Sequence, residues 1–447
     1  MKKVIVIGTN HAGTASINTM LDNHADKVNV TTYDTNTNIS FLGCGMALWI
    51  GKVIDRPDGL FYSNPDLLKS KGANVFMQHA VRDVNFETKE VTIEDLCTNE
   101  IKKDTYDELI ISVGSWPVRP PIPGIDFDNI ISVKLFQDAQ KTIEKLNNDK
   151  LNDIVVVGAG YIGIELAEAF KVLGKNVTLI DMVDEVVPRY YDREFTRVME
   201  ENLTKNGVKL ALGEQVKEFT GEDGKVTGVV TDKGTHKADL VMFSVGFRPN
   251  TKFLEGKGLD MLPNGAIKVD NKQESNIPGV YAIGDCATVY DNARQTQSYI
   301  ALASNAVRTG IVAGSNVAGV EMEMNGVQGS NGIHIFGVTM LSTGLTEREA
   351  VAAGFDVAIS TAEGKQKPDF IPSNDQIKVK IVYDKTTRRL LGAQMLANFD
   401  ASLALHTFSL ALQEKMTVDR LKLVDFFFLP HFNKPIDNIV AAVLGCK

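Results

Sequence analysis

Apolar and polar positions divide the chain into short β-branched runs, each closed by a glycine or a carboxylate, alternating with stretches of helical period. Lys3–Ile7 is such a run, ended by Gly8, and Ala12–Leu21 follows with small residues on one side, which predicts strand, tight turn and helix. Val28–Tyr33 predicts the next strand, with Asp34 at its end. The unit recurs downstream: Ile154–Val157 predicts a strand, Gly158-Ala159-Gly160-Tyr161-Ile162-Gly163 a turn, Ile164–Leu173 a helix, and Asn176–Ile180 a strand ending at Asp181. Two copies of one supersecondary unit imply two nucleotide-binding domains in one polypeptide.

Between the copies, the apolar strand Leu109–Val113 runs into Gly114-Ser115-Trp116-Pro117 and a Pro120-Pro121-Ile122-Pro123-Gly124 segment with few free dihedrals, which predicts a stiff crossing between domains. Leu240–Val245 followed by Gly246-Phe247-Arg248-Pro249-Asn250 predicts the crossing back, and Gly279–Asp285 a strand returning to the first domain. From about Ser330 the texture changes. Strands over Gln376–Tyr383 and Leu390–Leu396 and an apolar helix over Ser402–Lys415 predict a third, α+β domain. Its closing run, Phe426–Phe432, is too apolar for a free tail and predicts packing against a partner subunit.

The length of 447 residues suits about three domains. With 47 Lys and Arg against 56 Asp and Glu, the net charge of −9 offers no overall positive field to nucleic acid or an anionic membrane, so neither is an expected partner. Cys44, Cys97, Cys286 and Cys446 are widely spaced with no metal-type pairing, which argues for a reducing cytoplasm and no metal site. The Met1-Lys2-Lys3 start reads as a strand and not a leader, because its apolar run stops at Gly8 and the polar Asn10 and His11 follow.

A glycine-rich turn between strand and helix lets backbone N–H groups approach a pyrophosphate at the helix's positive end, and the acid closing the next strand accepts from a ribose. The second copy has Gly158, Gly160 and Gly163, with Asp181 beyond them. A carboxylate there repels a 2′-phosphate, and Asp184 and Glu185 add charge of the same sign, so NADH is expected over NADPH. In the first copy Gly8 and Gly13 stand, but Asn10 replaces the middle glycine and His11 follows. A Gly284-Asp285 pair at a strand end can meet the ribityl or pyrophosphate part of a longer dinucleotide, which makes this domain the expected flavin holder.

Ile39-Ser40-Phe41-Leu42-Gly43-Cys44-Gly45-Met46 places one cysteine between two glycines. With Gly8–Gly13, Ser112–Pro117, Gly158–Gly163, Gly246–Asn250 and Gly284-Asp285, this segment resembles the flavoprotein pyridine-nucleotide disulfide oxidoreductases over essentially the whole chain. The nearest likeness is the single-cysteine branch of NADH oxidases, NADH peroxidases and coenzyme A-disulfide reductases. Tyr299–Arg308 and the closing Phe432-Asn433-Lys434-Pro435 look most like the water-forming oxidases. Gly43 stands where that branch more usually has serine.

The resemblance implies a homodimer with FAD and NAD, divided as 1–120 and 251–328 for FAD, 121–250 for NAD and 329–447 for dimerisation. It implies FAD contacts from Gly8, Asn10, His11, Ala12, Gly13, Asp34, Cys44, Val81, Val113, Gly114, Ser115, Lys134, Asp285, Leu302, Ala303, Ser304 and Phe432. For NAD it implies Gly158, Gly160, Tyr161, Ile162, Gly163, Glu165, Asp181, Tyr190 and Gly246.

The chemistry of the residues agrees with the resemblance. A local dithiol needs a second cysteine one helical turn on, where this chain has Trp49. A lone low-pKa thiolate can instead be oxidised by peroxide to a sulfenic acid and reduced again. The expected cycle passes hydride from NADH to flavin and two electrons from flavin to oxygen. Cys44 then cleaves the peroxide, and a second NADH restores the sulfur. His11, kept neutral by the helix's positive end, is expected to hydrogen-bond or protonate the departing oxygen. Glu165 is expected to face the nicotinamide, and His431 either serves the partner's site or is structural, with Phe432 near the partner's flavin. Cys97, Cys286 and Cys446 are expected to be buried and inert. The rival readings are NADH peroxidase, coenzyme A-disulfide reductase and a flavin-bound redox sensor without turnover.

Overall fold

The computed structural model describes residues 1–148 and 150–447. Two parallel five-stranded sheets organise the first two thirds of the chain. The first runs Val280–Ala282, Glu108–Ile111, Lys2–Ile7, Val28–Asp34, Asn74–Met77. The second runs Ile130–Ser132, Leu240–Phe243, Asp153–Val157, Asn176–Asp181, Lys209–Leu212. In both, the strand before the glycine turn is central, paired on one side with the strand that ends in Asp34 or Asp181 and on the other with a late strand. Central parallel strands are covered on both faces, which is why Val4–Ile7 and Ile154–Val157 are continuous apolar runs and almost wholly buried.

The helices following the two turns are His11–His24 and Tyr161–Val172, the first starting one residue and the second three residues earlier than the apolar period indicates. The first packs closely along Ala303–Val317, whose Gly310 and Gly314 let the backbones approach: a Cβ on Gly310 would lie 2.3 Å from the Ala12 carbonyl oxygen. The two chain crossings pair with each other, Ser115–Pro117 antiparallel to Phe247–Pro249, in a short ribbon between the sheets. The strand expected over Gly279–Asp285 is confined to Val280–Ala282. Gly284, at φ +69°, then turns the chain and places Asp285 in a 3-10 turn.

Beyond Ser330 a five-stranded antiparallel sheet is ordered Asn331–Ile335, Val338–Gly344, Leu390–Ala397, Gln376–Asp384, Val357–Lys365. The helix Ser402–Gln413 lies against it and ends before Lys415, whose φ of +50° breaks the helical path. The apolar closing run forms no helix or strand, and Phe427, Phe428, Leu429 and Phe432 are 44 to 67% exposed on this chain. Among the described residues no helix is long and apolar enough to cross a membrane.

Candidate functional site

Both glycine turns open into one cleft of about 1660 Å³ between the three sheets, well above the ~300–1,000 Å³ typical of a small-ligand pocket. The cradles share one construction. Gly8 has φ +94°, and a Cβ on it would lie 2.4 Å from the Ser112 carbonyl oxygen; Gly158 has φ +107° and the same 2.4 Å to that of Ser244. Only glycine satisfies both the dihedral and the space. Gly13 and Gly163 do not line the cleft, contrary to the expected cofactor contacts. A Cβ on them would lie 1.9 Å from the Gly8 oxygen and 1.8 Å from the Gly158 oxygen, so they let each helix close onto its own turn.

The two acids brace the turns as well as line the cleft. Asp34 Oδ2 accepts from the Thr9 N–H and hydroxyl, both at 2.7 Å, and Oδ1 accepts from Asn36 N–H at 2.7 Å. Burial pushes its pKa up, and these bonds pull it back. Asp181 accepts from Ala159 N–H at 2.6 Å and from Val183 N–H at 2.9 Å. Apart from Gly13, Gly163 and Phe432, every residue expected to contact FAD or NAD lines this one cleft. Phe432 stands outside it, edge-on to Phe427 at 6.1 Å.

Cys44 sits in the 3-10 turn Gly43–Gly45 and is the only thiol lining the cleft among the described residues. Trp49, where a dithiol would need its second sulfur, stacks on Phe136 with centroids 5.2 Å apart. A Cβ on Gly43 would meet nothing closer than the Lys134 carbonyl oxygen at 3.8 Å, so the serine seen in the branch would fit.

The expectation of a low thiol pKa is corrected. Partial burial pushes Cys44 up and the Glu165 carboxylate adds to it, outweighing the backbone N–H groups of Cys44 and Gly45 that pull it down. Glu165 is itself pushed up to about 7 by burial and then by Glu168. His11 is kept neutral, but chiefly through burial, opposed by Asp285 and reinforced by Lys134. Lys134 also reaches Ser115 Oγ at 3.1 Å and Asp285 at 3.5 Å and lies over the Phe247 ring, tying the crossing ribbon to the returned carboxylate.

Two features, one outside the cleft lining and one in it, have no motif to announce them. Tyr62 stacks on His11 with rings 9° from parallel, and its hydroxyl lies 2.9 Å from His11 Nδ1. Burial pushes its phenol up to about 12, so it stays protonated and can donate to Nδ1, leaving the imidazole proton on Nε2. Tyr299 lines the cleft with a buried hydroxyl that has no partner among the described residues, a donor open to a ligand. Of the remaining thiols, Cys286 and Cys446 are buried and pushed up to about 12 and 11, whereas Cys97 is exposed in the turn after Asp95, against expectation.

Residues 2–310 match the pyridine nucleotide-disulphide oxidoreductase family, and residues 333–438 match the dimerisation domain of the same family. The chain is 51% identical to an NADH oxidase of Streptococcus pyogenes serotype M6, with 100% of each covered. Among solved structures it is similar to a water-forming NADH oxidase from Lactobacillus brevis bound to NADH (TM-score 0.96, 40% identity, 99% of this chain and 98% of that one). An engineered water-forming NADPH oxidase derived from that enzyme, bound to NADPH, is equally similar (TM-score 0.96, 40% identity, 99% and 97% covered). Its five substitutions replace, among others, a glycine, an aspartate 18 positions on and a proline seven further.

Proposed function

The chain belongs to the pyridine nucleotide-disulphide oxidoreductase family, and on that premise we propose that it is a cytoplasmic, homodimeric, FAD-dependent NADH oxidase that reduces oxygen to two waters at the expense of two NADH. The observation that carries this reading is a single thiol, Cys44, sharing one cleft with His11 and with two dinucleotide cradles of the same construction. The cleft fits the cofactors: it has the volume for two dinucleotides, two turns that only glycine can form, and an unpaired Tyr299 hydroxyl.

In this reading Gly8, Asn10, Ala12, Asp34, Val81, Val113, Gly114, Ser115, Lys134, Asp285 and Leu302–Ser304 hold FAD, in a domain made of residues 1–120 and 251–328. Gly158, Gly160, Ile162, Asp181, Tyr190 and Gly246 hold NADH within 121–250, and 329–447 joins the two subunits, with the exposed Phe427–Phe432 run against the partner. When bound, FAD passes an electron pair from NADH to oxygen.

The protein's own chemistry begins once oxygen has been reduced. Cys44 attacks hydrogen peroxide: a sulfur–oxygen bond forms, the oxygen–oxygen bond breaks, and the sulfur becomes a sulfenic acid. Counting the proton the thiol gives up, thiol and peroxide yield sulfenic acid and one water. His11 hydrogen-bonds the departing oxygen through Nε2, its ring fixed by Tyr62. Glu165, pushed up to about 7, lines the same cleft, and its charge above that pH opposes ionisation of the Cys44 thiol. The electron pair and hydrogen of the second NADH, with one proton from solvent, break the sulfur–oxygen bond and restore the thiol, and the oxygen leaves as the second water.

Selection of NADH falls to Asp181, which lines the cleft; Asp184 and Glu185, expected to add charge there, do not line it, and Glu185 is paired with Arg348. Gly163, Asp181 and Pro188 recur here at the same spacing, 18 and seven, as the glycine, aspartate and proline replaced in the NADPH-using variant. The test is an oxygen electrode. Uptake of about one oxygen per two NADH, with none returned by catalase, supports the oxidase, by the electron count of the cycle. No aerobic NADH consumption but rapid consumption with added peroxide would replace it with a peroxidase.

A further inference from the structure

The wall of the cleft between Val187 and Tyr190 is held in a conformation it would not adopt alone. Val187 is buried and β-branched yet has φ +42°, a region such residues enter only when their surroundings impose it. Val187 itself is held by its N–H to the Ala159 carbonyl oxygen at 2.9 Å, and the residues that follow it are held largely by the C-terminal domain. Arg348 donates to the Pro188 carbonyl oxygen at 2.6 Å, and the Tyr191 hydroxyl donates to that of Met340 at 2.9 Å. Asp192 is clasped on both sides by Gln394, whose Oε1 accepts the Asp192 N–H at 2.7 Å and whose Nε2 donates to its carboxylate at 2.6 Å.

At the centre of this clasp is Lys380, 1% exposed, with Nζ 3.0 Å from Asp192, 2.6 Å from Glu194 and 2.7 Å from Glu347. One ammonium therefore meets carboxylates from the NAD-side segment and from the C-terminal domain. Without it, the buried Asp192 carboxylate would keep its hydrogen bonds from Gln394 Nε2 and the Glu347 N–H but lose its one cationic partner, and would face the half-exposed Glu194 and Glu347 carboxylates with no charge between them. Two residues before that anchor, Tyr190 packs on Tyr161 with ring centroids 4.6 Å apart, both in the cleft wall.

We infer that Lys380 is a positioning residue for the nicotinamide nucleotide: through Asp192 it fixes the Val187–Tyr190 wall, so that the C-terminal domain shapes the NADH site in its own subunit besides joining subunits. The inference rests on the reading of Tyr190 as part of the NADH site. It is tested on the full-length, FAD-loaded protein with Lys380→Met, Tyr190→Ala and the double variant, measuring KM and kcat for NADH and, by calorimetric titration, the dissociation constant of NAD⁺.

Lys380→Met should weaken NAD⁺ binding and raise KM by about tenfold while kcat falls less than about twofold, the pattern of lost uniform binding. The double variant should be within about twofold of Tyr190→Ala alone, because both act on one wall. Unchanged NAD⁺ binding in a folded Lys380→Met protein, or fully additive losses in the double variant, overturns the inference. If Tyr190→Ala alone changes nothing, the assignment of the NADH site fails instead. Should Lys380→Met not fold, Arg348→Ala decides: its side chain is 50% exposed, and loss of its bond to Pro188 should weaken NAD⁺ binding about threefold, with no change counting against the clasp.

Discussion

In the first cradle Asn10 leads into His11, which stacks on Tyr62; in the second Gly160 leads into Tyr161, whose hydroxyl lies 2.8 Å from that of Tyr191. The outer glycines do the same work in both, down to the 2.4 Å approach of a hypothetical Cβ to Ser112 or Ser244. A Cβ on Gly160 would meet nothing within 4 Å, so the middle of the second turn is open, whereas the first carries the Asn10 side chain at the matching position. The difference separates two tasks. In the proposed reading the backbone of each cradle would hold a pyrophosphate, which leaves the middle of the turn free for chemistry in one copy and clearance in the other.

The strongest challenge to this division of tasks comes at His11. His11→Gln should leave NADH consumption measurable but slow the peroxide-cleaving step by about 10²-fold, the usual weight of a positioned acid–base group, with peroxide escaping to solution. If peroxide does not accumulate, the first cradle carries no chemistry. At the second cradle, Asp181→Ala should narrow the preference for NADH over NADPH by about tenfold in kcat/KM, without peroxide release, since it removes one repulsive charge. Unchanged selectivity would mean that the Asp181 charge does not set cofactor choice.

A smaller effect links the two. Glu165, on the second cradle's helix, carries its charge only above about pH 7 and then opposes ionisation of Cys44 beside the first. Glu165→Gln should therefore speed alkylation of Cys44 about threefold at pH 8 and leave it unchanged at pH 6, where the native carboxyl is already neutral. Equal rates at both values would mean the two groups are not coupled. Smallest of all, Asn10→Gly should change FAD retention less than about twofold, because the outer glycines and not the middle residue form the turn. A large loss of FAD would show that the Asn10 side chain, and not only its backbone, holds the cofactor.

Much of this is legible in the sequence because the signals are local. Strand, glycine turn, helix and closing acid fall within a few dozen residues in each copy, and the proline-rich crossings mark where the sheets part. The features that escape depend on groups far apart in the chain. Tyr62 meets His11 across 51 positions with no motif of its own. The raised Cys44 pKa comes from burial and from Glu165 on another domain, neither of which the Gly43-Cys44-Gly45 triplet can reveal. Gly13 and Gly163 belong to the motif, yet their neighbours show that they serve helix packing. Residue type alone predicts a buried Cys97, but it stands in an exposed turn, its N–H bound to Asp95 at 2.8 Å.

Whether one sulfur in a shared cleft turns peroxide into water is decided by Cys44→Ser in the FAD-loaded protein with NADH and oxygen. NADH oxidation should continue with about one hydrogen peroxide formed per NADH, because the hydroxyl cannot take up an oxygen atom as the thiol does. A variant that still produces only water would remove Cys44 from the reaction.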